Sequence, residues 1–140
     1  MTDDIQDFNQ TVIADFRANG GKVSMLPFPT LLLTHTGARS GKTYTSPLAY
    51  GVEGDAVYII ASKAGAPTDP AWMHNLRANP EVTVEVGDRR FDATARETEP
   101  EERDRLFAAI AAEHPQFHEY TEKTDRKFPV VVLDGVTAPA

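Results

Sequence analysis

Two loops of this 140-residue chain concentrate the groups that could bind a ligand or do chemistry. The first, Thr36-Gly37-Ala38-Arg39-Ser40-Gly41-Lys42-Thr43, places a guanidinium, a hydroxyl and an ammonium between two glycines. Cations beside accessible backbone N–H groups are the chemistry for gripping a phosphate or a carboxylate. The string misses the phosphate-binding P-loop pattern only at Thr36, which occupies its first glycine. Its context fails as well, because a P-loop opens a helix, whereas Tyr44-Thr45-Ser46-Pro47 is β-prone and contains a helix breaker. On spacing alone an ordinary hairpin loop accounts for these residues equally well. The second loop runs from Ser62 and Lys63 through Gly65, Asp69 and Pro70 to Ala71-Trp72-Met73-His74-Asn75-Leu76. A lysine at a strand end, followed by an aromatic wall on a short helix, reads as a ligand pocket. The bland alternative is that Trp72, the only tryptophan, is plain core.

Other constellations carry less. His114 and His118 have i, i+4 spacing, but Pro115 between them breaks the helix a metal pair would need, and no third ligand is evident. Ser62 and His74 lack a nucleophile elbow and a companion acid. Glu99, Glu101, Glu102 and Asp104 are most simply the dipole-favoured first turn of a helix. The absence of cysteine excludes disulfides, thiolate catalysis and Cys-based metal sites.

Composition sets the frame for these groups. The chain has the length of one domain and the apolar and charged content of a globular protein. Its net charge of −7 argues against general nucleic-acid binding. Between Asp15 and Glu53, however, there is no acidic residue, while Arg17, Lys22, Arg39 and Lys42 all lie there. A basic segment inside an acidic protein suits an anionic ligand. The acidic N-terminus lacks the basic and apolar regions of a secretory signal, and no apolar run approaches the roughly 18 residues that span a bilayer. The chain is therefore expected in the cytoplasm without a stable membrane anchor; a peripheral position at the inner face of the membrane is compatible with that reading.

The elements that must position the two loops follow from periodicity. Ile5, Phe8, Val12, Ile13 and Phe16 form the stripe of an amphipathic docking helix within residues 1–20, stopped by Gly20-Gly21. After a connector with Pro27 and Pro29, strands are expected at Thr30–Thr36, Thr43–Tyr50 and Ala56–Ser62, the last two joined by a turn at Glu53-Gly54-Asp55. Asp69-Pro70 reads as an N-cap with proline at the first helical position, opening a short helix that Asn79-Pro80 ends. Val82–Val86 and Arg90–Arg96 form a second hairpin across Gly87-Asp88. Thr98-Glu99-Pro100-Glu101 reads as a capping box for a helix ending near Pro115, and Pro129–Asp134 as a last strand. The expected architecture is a single mostly β (α+β) domain, 1–140, with about six antiparallel strands closing as a barrel and peripheral N-terminal, central and C-terminal helices.

Taken in order, the two loops resemble the deazaflavin-dependent nitroreductase family of actinobacteria. The resemblance rests on Thr36-Gly37-x-x-Ser40-Gly41-Lys42, Pro47-Leu48, Ala61-Ser62-Lys63-x-Gly65 and Pro70-x-Trp72-x-His74-Asn75-Leu76-x-Ala78-Asn79-Pro80. It continues through Val82-Thr83-Val84-Glu85-Val86, Glu101-Glu102-Arg103-Asp104-Arg105-Leu106 and Tyr120-x-x-x-Thr124-Asp125-Arg126-x-x-Pro129-Val130-Val131-Val132-Leu133. The joint order of the blocks is what is specific, and it covers nearly the whole chain.

The resemblance implies a split β-barrel related to the flavin mononucleotide (FMN)-binding oxidoreductases, and coenzyme F420 as the hydride carrier. F420 is an 8-hydroxy-5-deazaflavin with a phosphodiester and an oligoglutamate tail, and that polyanion gives the acid-free basic segment a physical purpose. The implied cofactor contacts are Ala38, Arg39, Ser40 and Lys42 on the loop and Tyr44, Thr45, Ser46, Pro47, Leu48 and Ala49 on the next strand. They extend to Ile60, Ala61, Ser62 and Lys63 at a strand edge, to Ala71, Trp72, Met73, His74 and Asn75 on the short helix, and to Phe117. Tyr120 is the implied catalytic group, lining the substrate or donating a proton, and no metal is expected. The expected activity is reduction of a small organic acceptor, a quinone, activated alkene or nitroaromatic. The same barrel using FMN, or a carrier that holds the deazaflavin without turnover, are the alternatives. Related barrels often place cofactor sites at subunit edges, so a homodimer is compatible. The chain departs from the family at Tyr44, where many relatives have an arginine, and at His114 and Phe117, where nitroimidazole-activating members have tyrosines. Nitroimidazole activation is therefore not carried over.

Overall fold

A computed structural model describes residues 2–23 and 29–139, with α1 described by its backbone alone before Phe8. Pro27 thus lies outside the described residues, and so does the side chain of Ile5. The chain forms α1 (Thr2–Ala18), β1 (Thr30–Thr36), β2 (Thr43–Glu53), β3 (Ala56–Ile60), a 3-10 turn (Lys63–Gly65), α2 (Ala71–Ala78), β4 (Glu81–Val86), β5 (Arg89–Glu97), α3 (Pro100–Glu113), α4 (Gln116–Thr121) and β6 (Val130–Asp134). The strands close into a six-stranded barrel in the order β1-β2-β3-β6-β5-β4, with every neighbouring pair antiparallel. Closure removes the open edges that a six-stranded sheet would otherwise expose.

Side-chain alternation sorts the strands into two faces. Leu31, Leu33, Val57, Ile59, Val84, Val131 and Leu133 fill the barrel, and Trp72, Met73 and Leu76 of α2 join the same core. The opposite face of β3 and β6 is buried too, because Tyr58, Ile60, Val130 and Val132 pack beneath Leu106, Ile110, Phe117 and Phe128. That double burial explains why β3 and β6 read as near-continuous apolar runs. A third, smaller cluster joins Ile13 and Phe16 of α1 to Leu32, with Val23 against it. Phe8, expected on the docking stripe, is instead about half exposed. Among the described side chains of the stripe, Val12, Ile13 and Phe16 are the buried ones, and Leu32 supplies an apolar partner to the last two.

Three local expectations are corrected. Pro70, not Asp69, is the N-cap of α2, because the Asp69 carboxylate is engaged by Arg77 and Arg126. Thr98 forms no capping box, since its hydroxyl donates to the Val130 carbonyl at 2.9 Å and ties β5 to β6, leaving Glu99 as an N-cap without a side-chain bond. The chain also does not run straight from Pro115 to the last strand, because the short α4 intervenes.

Candidate cofactor and substrate site

The two loops singled out in the sequence meet at one end of the barrel. In β1, Leu31 and Leu33 point inward, and the same parity turns His35 inward where the barrel ends. β2 answers with Tyr44 and Ser46, paired with His35 and Leu33 in the register. Between the strands, residues 37–42 form a compact turn in which the Gly37 N–H donates to Lys42 O at 2.8 Å and the Gly41 N–H donates to Gly37 O. An added Cβ at Gly37 would lie 2.6 Å from Ser40 Oγ and 3.0 Å from the Tyr44 ring, so the Ser40 hydroxyl would have to turn away. Gly41 has a positive φ of 71° that glycine adopts without strain.

These residues and α2 enclose a cleft of about 950 Å³, lined by Asn9, His35, Gly37, Ala38, Arg39, Ser40, Tyr44, Ser46, Ala71, Trp72, His74 and Asn75. One wall is aromatic, with Tyr44 stacked on His35 at 5.9 Å between ring centroids. The other wall is the edge of Trp72, which is buried in the barrel core and also lines the cleft.

Asn75 joins the two loops. The Ala38 N–H donates to Asn75 Oδ1 at 2.9 Å, and the other end of the amide lies 3.1 Å from His35 Nδ1. His35 Nε2 in turn lies 3.1 Å from Ser46 Oγ. Burial lowers the pKa of His35 and keeps the imidazole neutral. Across the loop, Ser40 Oγ bonds the Tyr44 hydroxyl and accepts from the Lys42 N–H.

The charge pattern separates this cleft from other depressions on the surface. Among the described residues no carboxylate lines it. Three other clefts all carry acids: Glu81, Asp92 and Asp134 in one, Asp104 and Asp125 in another, Glu85 and Asp88 in a third. Arg39, Lys42 and Lys63 are exposed and have no ion-pair partner among the described residues, whereas Arg17, Arg77, Arg96, Arg103, Arg105 and Arg126 each sit against a carboxylate. Arg39 on the cleft and Lys42 on the same loop, next to a partly aromatic lining, fit a ring system with an anionic tail.

The remaining site expectations divide by location. Lys42, Thr45, Pro47, Leu48 and Ala49 continue along the loop and β2 outside the cleft lining. Ile60, Ala61 and Ser62 are buried, and Met73 belongs to the barrel core. Lys63 begins the 3-10 turn in the left-handed region, with φ 48°. Phe117 does not line the cleft but is buried in the second core, edge-on to Phe107 and Tyr120. Tyr120 is half-buried beside it, and burial followed by Glu119 raises the pKa of its phenol. α4 packs on the 3-10 turn, where a Cβ on Gly65 would lie 2.8 Å from Tyr120 O. Tyr120 therefore belongs to the Lys63 side of the molecule, not to the cleft lining.

Arg126 and His35 were not predicted as site residues. The Arg126 guanidinium donates to the carbonyls of Ala61, Ser62 and Ala66, pairs with Asp69 and stacks over Phe128 at 4.7 Å. It therefore fixes the path of the chain on both sides of Lys63. Nothing local in Thr124-Asp125-Arg126 signals this role, whereas the inward parity of His35 was a readable signal for a polar group at the barrel end.

The fold class is a closed antiparallel barrel that carries the cleft at one end, and comparison with known proteins gives its family. The sequence profile of the F420H(2)-dependent quinone reductases matches residues 9–135. The F420H(2)-dependent quinone reductase Rv1261c of Mycobacterium tuberculosis is 43% identical over 108 residues, covering 75% of this chain and 72% of the relative. A solved F420-H2 dependent reductase, FDR-A, is 42% identical, with a TM-score of 0.69 over 76% of this chain and 94% of its own. A further structure, described as a domain-swapped dimer, is 38% identical, with a TM-score of 0.71 over 95% of this chain and 98% of its own. The heme storage protein HutZ of Vibrio cholerae is 16% identical with a TM-score of 0.59 and shares the fold. The chain belongs to the F420H(2)-dependent quinone reductase family. It is a deazaflavin-dependent reductase, and its cofactor is coenzyme F420.

Proposed function

We propose that the protein reduces a quinone with a hydride from coenzyme F420, using the acid-free cleft between the 37–42 loop and α2. The observation that carries the reading is a cleft with an aromatic wall and Arg39 on its rim, in which no described residue supplies a carboxylate. When bound, the reduced deazaflavin supplies two electrons together as hydride. Arg39, Lys42 and Lys63 hold the anionic groups of the tail by charge-assisted hydrogen bonds. Trp72 and Tyr44 provide flat walls that orient rings, which contributes through proximity rather than through acid–base chemistry. Tyr120 stays protonated at neutral pH because burial disfavours its phenolate, so it is available as a donor if the acceptor reaches the Lys63 side. The quinone takes up the hydride and one proton, from Tyr120 or from solvent, and leaves as hydroquinone.

The test follows absorbance of the reduced coenzyme in the presence of a quinone, an activated alkene or a nitroaromatic. Quinone-dependent oxidation is expected. Tight coenzyme binding without oxidation by any of the three would leave a carrier. The domain-swapped relative supports a homodimer for this chain as well, checked by sedimentation at several protein concentrations.

A further inference from the structure

The contacts around Asn75 settle a proton position that distance alone leaves open. The Ala38 backbone N–H can only donate, so the side-chain atom that meets it at 2.9 Å is the carbonyl oxygen of Asn75. The amide NH₂ therefore faces His35 Nδ1 at 3.1 Å and donates to it. A neutral imidazole accepting at Nδ1 carries its proton on Nε2, and that N–H points to Ser46 Oγ at 3.1 Å. The serine oxygen is thereby used as an acceptor, and its own proton is left for another partner. Ser46 lines the cleft.

We propose that His35 is a positioning residue: locked by Asn75 as the Nε2–H tautomer, it makes the Ser46 hydroxyl a hydrogen-bond donor to an oxygen of the molecule bound in the cleft. The receiving oxygen belongs to the coenzyme or to the quinone, both of which present carbonyl acceptors. The ligand half of this statement rests on the function proposed above; the tautomer does not. The relay also couples the two loops. A proton on Nδ1 would face the Asn75 NH₂ donor to donor, and rotating the amide to relieve this would take the acceptor from Ala38 N–H. The groups facing the imidazole are Asn75 from α2 and Tyr44 and Ser46 from β2, with Arg39 and His74 on the same cleft, and none of these is an acid.

Two measurements test the proposal. Nitrogen NMR of ¹⁵N-histidine-labelled protein should show His35 with a proton on Nε2 and none on Nδ1, persisting below the pH at which an exposed histidine becomes cationic. A proton on Nδ1 at neutral pH overturns the relay whatever the ligand. Ser46→Ala, which removes one atom, should then raise either the coenzyme Kd or the quinone KM by about five- to tenfold, and the affected constant identifies the receiving molecule. His35→Phe keeps a ring against Tyr44 and should raise the same constant, with the double variant no worse than the more affected single. Unchanged constants in Ser46→Ala overturn the proposal. Failure of the unsubstituted protein to bind coenzyme would instead remove the functional reading, and it is seen before any substitution is made.

Discussion

Arg126, which braces residues 61–69 from the C-terminal segment, and the cations of the 37–42 loop are used in opposite ways. Around residues 61–69 the Arg126 guanidinium is only 15% exposed, and its nitrogens are bonded to three carbonyls and Asp69. In the 37–42 loop, Arg39 and Lys42 are exposed and have no ion-pair partner among the described residues. A saturated cation has no capacity left for a ligand and serves the fold, because exposing or unpairing it would strand buried acceptors. An unsaturated one costs the fold little and leaves its donors available. Residue type is the same in both places; the count of surrounding acceptors separates an arginine bound into the fold from one whose donors are left available.

Substitutions can break or sharpen this contrast. Arg126→Ala should have the largest effect, about 3 kcal/mol of stability, read as a fall of roughly 10 °C in Tm. A Tm close to the starting value would show that the 61–69 loop does not depend on the guanidinium. Asn75→Ala should cost about 1–2 kcal/mol, since it strands the Ala38 N–H and His35 Nδ1 together, and chemical denaturation would measure it. Arg39→Ala and Lys63→Ala should leave stability unchanged yet weaken coenzyme binding about five- to tenfold each at low salt, with the differences shrinking at high salt. A Tm loss without an affinity loss would reverse the assignment of the two regions.

The same contrast has a pH signature through His35. Its folded pKa lies below the ordinary 6.5, so the stability it contributes is complete above that value. It is lost as pH falls from there toward the folded pKa, because the unfolded chain takes up the proton first. Denaturant midpoints at about pH 7.5 and about pH 5.5 should therefore diverge more in the unsubstituted protein than in His35→Phe. The smallest effect is expected for Glu97→Gln. Arg77 holds Glu97 through two hydrogen bonds and keeps its carboxyl below the usual range, yet both side chains are 41% exposed. The expected loss is under about 1 kcal/mol by the same denaturation assay, well short of that for Arg126→Ala.

Much of the scaffold was legible because its signals are local. Thr30–Thr36 is apolar and β-rich between a proline and a glycine, and the strand has those bounds. The hairpins at Gly54 and Gly87 are marked by glycines that adopt φ near +60°. α4 was not legible, since six residues after Pro115 show too little periodicity for a helix whose support comes from the Phe107 and Tyr120 rings around Phe117. Thr98 was misread because a hydroxyl near a helix start satisfies a capping pattern equally well whether its partner is a helix N–H or a neighbouring strand.

The sequence by itself determined the barrel, the acid-free basic segment and the order of motifs that places the chain in its family. Each of these depends on composition, period or spacing along the chain. Tertiary structure alone decided which cations are spent on the fold, that Phe117 belongs to the second core, and that Asn75 holds both Ala38 and His35. Those outcomes depend on which donors and acceptors the closed barrel brings within hydrogen-bond distance across separations of 37 to 65 residues. Donor and acceptor capacity is written in the residue type, but its use is set by the neighbours that folding supplies.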